Sequence, residues 1–387
     1  MFNRLVFQHG SLGVRGCRRF TARSIAGVAL IVMARANLCY TADVAYAPLA
    51  GVLDGYGAGH YDEAITTLIQ LTNYRALARG FEKEAPKWIS SAPADAQRAR
   101  PRVAALVALE IARLGFIGER LSVPQFEDAM RVLRFGRTVI RGDPNGFERP
   151  WLLASVALIQ GMQNVFLAGA SEQATLSEYW QYAQSRFPDE GRFRLAALLA
   201  QAEARRMPNR AGTSAFSMTN GVEEEWGPPN ATPAAVQVRK AIEAYGQLLA
   251  YQAIAPEVHL RRGIMLFHRE DLPGALADVQ AALFSSVDPY IVYVGHVYKG
   301  LTLEALGQPR EGMAAYEAAL RIAPRAPSAA LLLAEALVAA GRQAEAAGLL
   351  QLTFSSPARL DPWTEFSACD YRFFADDLRQ LREMVGP

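Results

Sequence analysis

Three histidines, His259, His268 and His296, fall within 38 residues of one another, and imidazole is the side chain most often recruited to bind metal. No Asp or Glu stands beside them at ligand spacing, so the cluster lacks the donor set of a structural or catalytic zinc site. Gly55, Gly57 and Gly59 resemble the start of a phosphate-cradling loop, but His60 occupies the place of the third glycine and no strand precedes it. A turn between two helices accounts for them better. Glu223, Glu224 and Glu225 form a charge run suited to a solvated loop or to a basic partner. The three cysteines (17, 39 and 369) cannot build a disulfide framework. The chain has no H-E-x-x-H, G-x-S-x-G, P-loop or calcium-loop pattern. No catalytic residue, cofactor or metal is therefore assigned, and binding is the chemistry left to examine.

Composition narrows the kind of binding. With 51% hydrophobic and 20% charged residues the chain has the makings of a sizeable folded core. Its formal charge of +2 is set by its opening, where the first 42 residues hold six Arg and no acid. Without them 34 basic residues face 38 acidic ones, a net −4. That balance does not suit nucleic acid. The basic opening leads into the uncharged run Ser24 to Ala34, then Ala34-Arg35-Ala36, with a second small-residue site at Ala45-Tyr46-Ala47. This is the layout of a secretory signal peptide spanning residues 1–36, or as far as 47. An exported chain, periplasmic or extracellular, is expected, with no transmembrane span in its mature part.

The elements that would position a binding surface are helices. Gly307 and Gly341, Glu311 and Glu345, Gly312 and Ala346, Gly300 and Ala334, and Leu303 and Leu337 are each 34 residues apart. Ala275 and Ala282 continue the register backwards at a spacing of 37, and Ala241 lies 34 before Ala275. Small residues at Gly263, Gly300 and Ala334 are expected to face Ala275, Gly312 and Ala346 across paired helices, with Leu266, Leu303 and Leu337 filling the space between. Gly307 and Gly341 supply turns where a positive φ is cheap. The stretch Tyr290 to Val294 reads as a strand by composition, yet the register requires helix there.

A 34-residue period with this pattern resembles the tetratricopeptide repeat family. The resemblance covers residues 234–358 and implies an all-α fold, a helical-hairpin α-solenoid wound as a right-handed superhelix, that binds proteins or peptides without catalysis. Helical periodicity also runs through residues 47–206, read as degenerate repeats, with a loop at 207–233 and an aromatic C-terminal cap at 359–387 expected to fold over the last hairpin. The family's concave surface maps here onto Glu257, Leu260, Ile264 and Phe267, then Val294, Val297, Leu301 and Glu304, then Ser328, Leu331, Glu335 and Val338. His259 and His296 fall on packing positions. The groove lacks the Lys, Arg and Asn that family members use to clamp a terminal carboxylate, and its apolar lining suits an amphipathic helix or extended hydrophobic segment of an unknown protein partner. Alternatively, the protein's own N-terminal helices or aromatic tail fill it. Two other functions are a small-molecule or glycan receptor built on the 207–233 loop and Trp226, and an enzyme whose site lies in the N-terminal helical half.

Overall fold

A computed structural model describes residues 47–70, 73–117, 123–143, 146–165, 170–204, 233–355, 361–367 and 369–385. The signal-peptide segment, Cys17, Cys39, the Glu223–Glu225 run and Trp226 lie outside them. Among the described residues there is no strand. Residues 47–205 and 236–387 form one compact unit.

The N-terminal half contains α1 (Ala47–Gly57), α2 (Tyr61–Gln70), α3 (Tyr74–Ser90), α4 (Ala99–Ile117), α5 (Val123–Val139), α6 (Glu148–Val165), α7 (Ala170–Arg186) and α8 (Gly191–Ala204). The three glycines lie in and after α1, with Gly59 at φ +85° and the His60 amide donating to the Gly55 carbonyl over 2.9 Å. They therefore form a helix-pair turn. Helix α4 is buried on every face from Val103 to Ala112, as an apolar-all-round helix must be. It packs on α1, α3, α5 and α6. Large rings fill this core: Trp151 donates from Nε1 to the Ala105 carbonyl over 2.8 Å, and Tyr179 donates to Ser155 Oγ over 2.6 Å. Both polar atoms thus stay satisfied without water.

The repeat half contains α9 (Pro233–Leu248), α10 (Ala255–His268), α11 (Leu272–Ser285), α12 (Pro289–Ala305), α13 (Pro309–Ile322), α14 (Pro327–Ala339) and α15 (Gln343–Phe354). Proline opens α9, α12, α13 and α14, where its missing N–H costs nothing. The Asp271 and Asp288 carboxylates cap α11 and α12. Helix α12 contains Tyr290 to Val294, as the register demands. The paired helices approach through small residues: a Cβ added to Gly263 would lie 3.2 Å from the Ala275 carbonyl, and one added to Gly312 would lie 3.2 Å from the Gly300 carbonyl. Gly307 and Gly341 hold φ near +77° and +79° in their turns. In the preceding hairpin Glu270 takes the same left-handed place at φ 63°, which is why the glycine signal is missing there.

The C-terminal segment departs from expectation. Helix α16 (Pro362–Ser367), a 3-10 turn (Cys369–Phe373) and α17 (Phe374–Val385) follow the repeats. The segment was expected to fold over the last hairpin, α14 and α15. Instead α16 packs on α12, the turn packs on α6, and α17 packs on α4 and α6. Phe366 enters the apolar cluster of the repeats, while Phe374, Leu378 and Leu381 enter that of the N-terminal half. The segment is a strap joining the two cores. Its rings gain more burial there than on the outer face of α15, where Leu352 and Phe354 remain exposed.

Candidate functional site

The first helix of each repeat, α10, α12 and α14, carries the positions assigned to the groove. Leu260, Val294 and Val297 are fully buried and Leu301 nearly so, in the same apolar cluster that Phe366 completes and against which Ile264, Phe267 and Trp363 pack. An open apolar groove is therefore corrected: Leu260, Val294, Val297 and Leu301 are core residues. Their large aliphatic side chains are buried between neighbouring helices and under the chain's own tail. Ile264, Phe267, Glu304, Leu331 and Glu335 stay partly accessible, and Val338 is exposed. Glu257 is buried as well.

The strap is held by four kinds of contact. One Asp361 oxygen accepts from the Ser328 amide at the start of α14 over 2.8 Å and from the Tyr293 hydroxyl over 3.4 Å. The other accepts from the Trp363 amide over 2.9 Å. A single carboxylate thus faces the positive ends of two helices. The indole of Trp363 lies on the Tyr298 ring, centroids 5.0 Å apart. The Arg261 guanidinium lies 4.3 Å over the Phe366 ring and donates to the Phe366 carbonyl over 3.3 Å. Last, Arg372 donates to Glu257 over 2.7 Å and reaches Asp288 at 3.5 Å.

Glu257 sits between two cations, since Arg261 donates to its other oxygen over 2.8 Å. Burial pushes the Glu257 carboxyl up, but Arg372 and Arg261 outweigh it and bring it to about 2. At the far end of the groove positions, burial raises the Glu304 carboxyl, and Glu335 adds to the rise while the Tyr316 hydroxyl, donating over 2.9 Å, opposes it. Under the strap the groove region pairs Glu257 with Arg261 and Arg372 beside aromatic rings, and beyond it the region is acidic at Glu304 and Glu335.

The histidines are structural. His259 Nδ1 lies 2.8 Å from Asp278, which also takes two bonds from Arg262 at 2.6 and 2.7 Å. Burial, with Lys299 and Arg321 nearby, lowers the basicity of His296. Among the described residues no three His, Cys, Asp or Glu side chains converge as a metal site, and no helix is long and apolar enough to cross a membrane.

Sequence reasoning missed Arg261, Tyr298, Asp361 and Arg372 as contact residues. Arg261 and Tyr298 lie one position past Leu260 and Val297, so a template of fixed surface positions passes over them. The tail signalled itself only through its density of aromatic residues.

Residues 235–288 and 299–357 match the tetratricopeptide repeat family. No curated protein matches the chain. Among solved structures, the human IFIT1 dimer with m7Gppp-AAAA is 14% identical over 89% of this chain and 80% of its own, with a TM-score of 0.39. Yeast Tom70 is 15% identical over 99% of this chain and 79% of its own, with a TM-score of 0.38. A chain of the Cut9–Hcn1 hetero-tetramer of the APC/C is 10% identical over 87% and 74%, with a TM-score of 0.29.

Proposed function

We propose that this chain, whose residues 235–288 and 299–357 are tetratricopeptide repeats, is a non-catalytic scaffold that binds a protein or peptide segment on the first helices of those repeats. The observation that carries the reading is the strap: α10, α12 and α14 hold a short aromatic helix by ring stacking, a cation over a ring and a capped carboxylate. A short helix laid with its apolar face on a groove is one of the recurring modes of peptide recognition. The accessible positions Ile264, Phe267, Glu304, Leu331 and Glu335 extend the same surface beyond the strap.

The test is crosslinking of the full chain in its native host, followed by mass spectrometry, against a Leu331→Glu, Glu335→Lys variant. Both positions are only partly buried, so the variant is expected to fold and to lose its crosslinked partner. A folded variant that keeps every partner removes these positions from the surface, and a wild-type chain with no specific crosslink removes the scaffold reading.

We also propose export, on the basis of the acid-free basic opening and the apolar run Ser24 to Ala34. A mature form beginning at Asn37 or Pro48, found outside the cytoplasm by fractionation and N-terminal sequencing, is the expected result. An intact residue 1–36 segment on cytoplasmic protein would overturn it.

A further inference from the structure

We propose, resting on the scaffold reading, that helix α16 with the Asp361 before it is a built-in occupant of the docking surface, and that the external partner is a short helical segment of the same chemistry. Such a segment carries a carboxylate, an indole and a phenyl ring at the spacing of Asp361, Trp363 and Phe366.

Three observations lead there. First, the strap contributes side chains to a surface made by other helices, as a ligand does, while α16 has only six residues, too few to be helical without that surface. Second, the grip is complementary in charge as well as shape. Asp361 meets the N-terminus of α14 and that of its own helix, and the Phe366 ring lies under the Arg261 guanidinium, so an arbitrary apolar segment would answer neither the Ser328 amide nor the cation over the ring. Third, the anchoring is uneven. Phe374, Leu378 and Leu381 of α17 are buried in the N-terminal core, whereas α16 buries Phe366 alone, with Pro362, Trp363 and Glu365 partly covered and Thr364 and Ser367 exposed. Helix α16 can therefore leave while α17 stays, and it returns as a tethered competitor.

The size of the competition follows from the tether. A segment held at an effective concentration of about 1 mM weakens a free segment with a Kd of about 10 µM by about 100-fold. The experiment uses the full chain carrying W363A and F366A and a fluorescent peptide of residues Asp361–Ser367, followed by anisotropy. Binding to the variant is expected to be tighter than to the wild-type chain by about ten-fold or more. A peptide with the Trp and Phe moved to other positions is expected not to bind.

Circular dichroism and a cooperative melt establish that the variant is folded. Should it not be, D361A alone, at a partly exposed position outside both cores, is expected to raise peptide binding by about three-fold or more. A folded variant that takes the peptide no better than wild type overturns the inference, as does equal binding of the rearranged peptide. Wild-type chains that dimerise in sedimentation by exchanging straps, with W363A/F366A abolishing the dimer, would make a second copy the occupant and also overturn it. In each of these cases a partner crosslink lost through Leu331→Glu, Glu335→Lys would leave the scaffold reading standing.

Discussion

The two helical halves use the same glycine for different purposes. In the repeats glycine serves contacts within one hairpin: Gly263 and Gly312 approach the carbonyls of Ala275 and Gly300, and Gly300 seats the Tyr316 ring of its partner helix. In the N-terminal half a glycine instead seats a ring from elsewhere in the chain: a Cβ on Gly136 would lie 2.6 Å from the Trp151 indole, and one on Gly161 would lie 2.6 Å from the Tyr371 ring. The first arrangement repeats because each hairpin meets only its neighbour. The second does not repeat, because each ring arrives from a different distance in sequence. Buried charge crosses this division, since Glu257 of the repeats and Glu110 of the N-terminal half each take an arginine from the C-terminal segment. The N-terminal core holds Glu110 with no exposure, and there it takes bonds from Tyr56, Arg113 and Arg382, the last from the strap's own helix.

Breaking that ionic junction should produce the largest effect. Glu110→Ala leaves Arg382 and Tyr56 half-buried or buried without their acceptor, and about 3–5 kcal/mol of stability should disappear in urea titration. A loss under 1 kcal/mol would mean that water replaces the carboxylate. Next is the glycine contrast itself. Gly300→Ala drives a methyl into the Tyr316 ring and should cost about 1–3 kcal/mol. Gly348→Ala meets nothing within 4 Å and should stabilise helix α15 by about 0.5–1 kcal/mol. Equal effects at the two positions would show that register, and not contact, decides.

Glu270→Gly sharpens the comparison between successive repeats. Giving the left-handed turn the residue that its two successors use should raise stability by about 1 kcal/mol, read as a higher denaturation midpoint.

The pH dependence of the strap contact has a definite sign. Glu257 is held near 2, below its ordinary 4.5, so its contribution is complete above about pH 4.5 and is lost as the pH falls through 2. The melting temperature of wild type should approach that of Glu257→Gln across that window. A constant difference would separate the stability from the ionisation. The smallest effect is opposite in sign. The Glu304 carboxyl is raised by burial and by Glu335, so its charged form is disfavoured above its folded value. Glu304→Gln should raise the melting temperature at pH 7 by about 1–2 °C.

The same contrast explains what was legible in the sequence. The α10–α15 hairpins, their small-residue contacts and the helical state of Tyr290 to Val294 follow from a period, since local spacing dictates which residues meet. Helix positions in the N-terminal half were equally readable from apolar periodicity and Pro or Gly punctuation. The candidate surface was readable only in part. Its positions on α10, α12 and α14 were found, but whether Leu260 and Leu301 face solvent depends on where Phe366 goes, 106 and 65 residues onward. No spacing rule carries that information: Glu257 and Arg261 meet at i, i+4 on one helix, but Arg372 joins them from 115 residues away, which only the folded chain brings about.

The far-reaching anchor of α17 also sets an order of events during synthesis. Leu49, Val103 and Trp151 belong to a core that Phe374, Leu378 and Leu381 complete. A ribosome adding about 5–20 residues per second delivers those last side chains roughly ten seconds to a minute after the helices they close upon. Until then the N-terminal core is unfinished and Glu110 lacks Arg382. The repeat hairpins, whose mutual contacts are nearest-neighbour, can form as they emerge and wait for Phe366 and Arg372, so the part of the chain made second has the shorter wait for its last side chains.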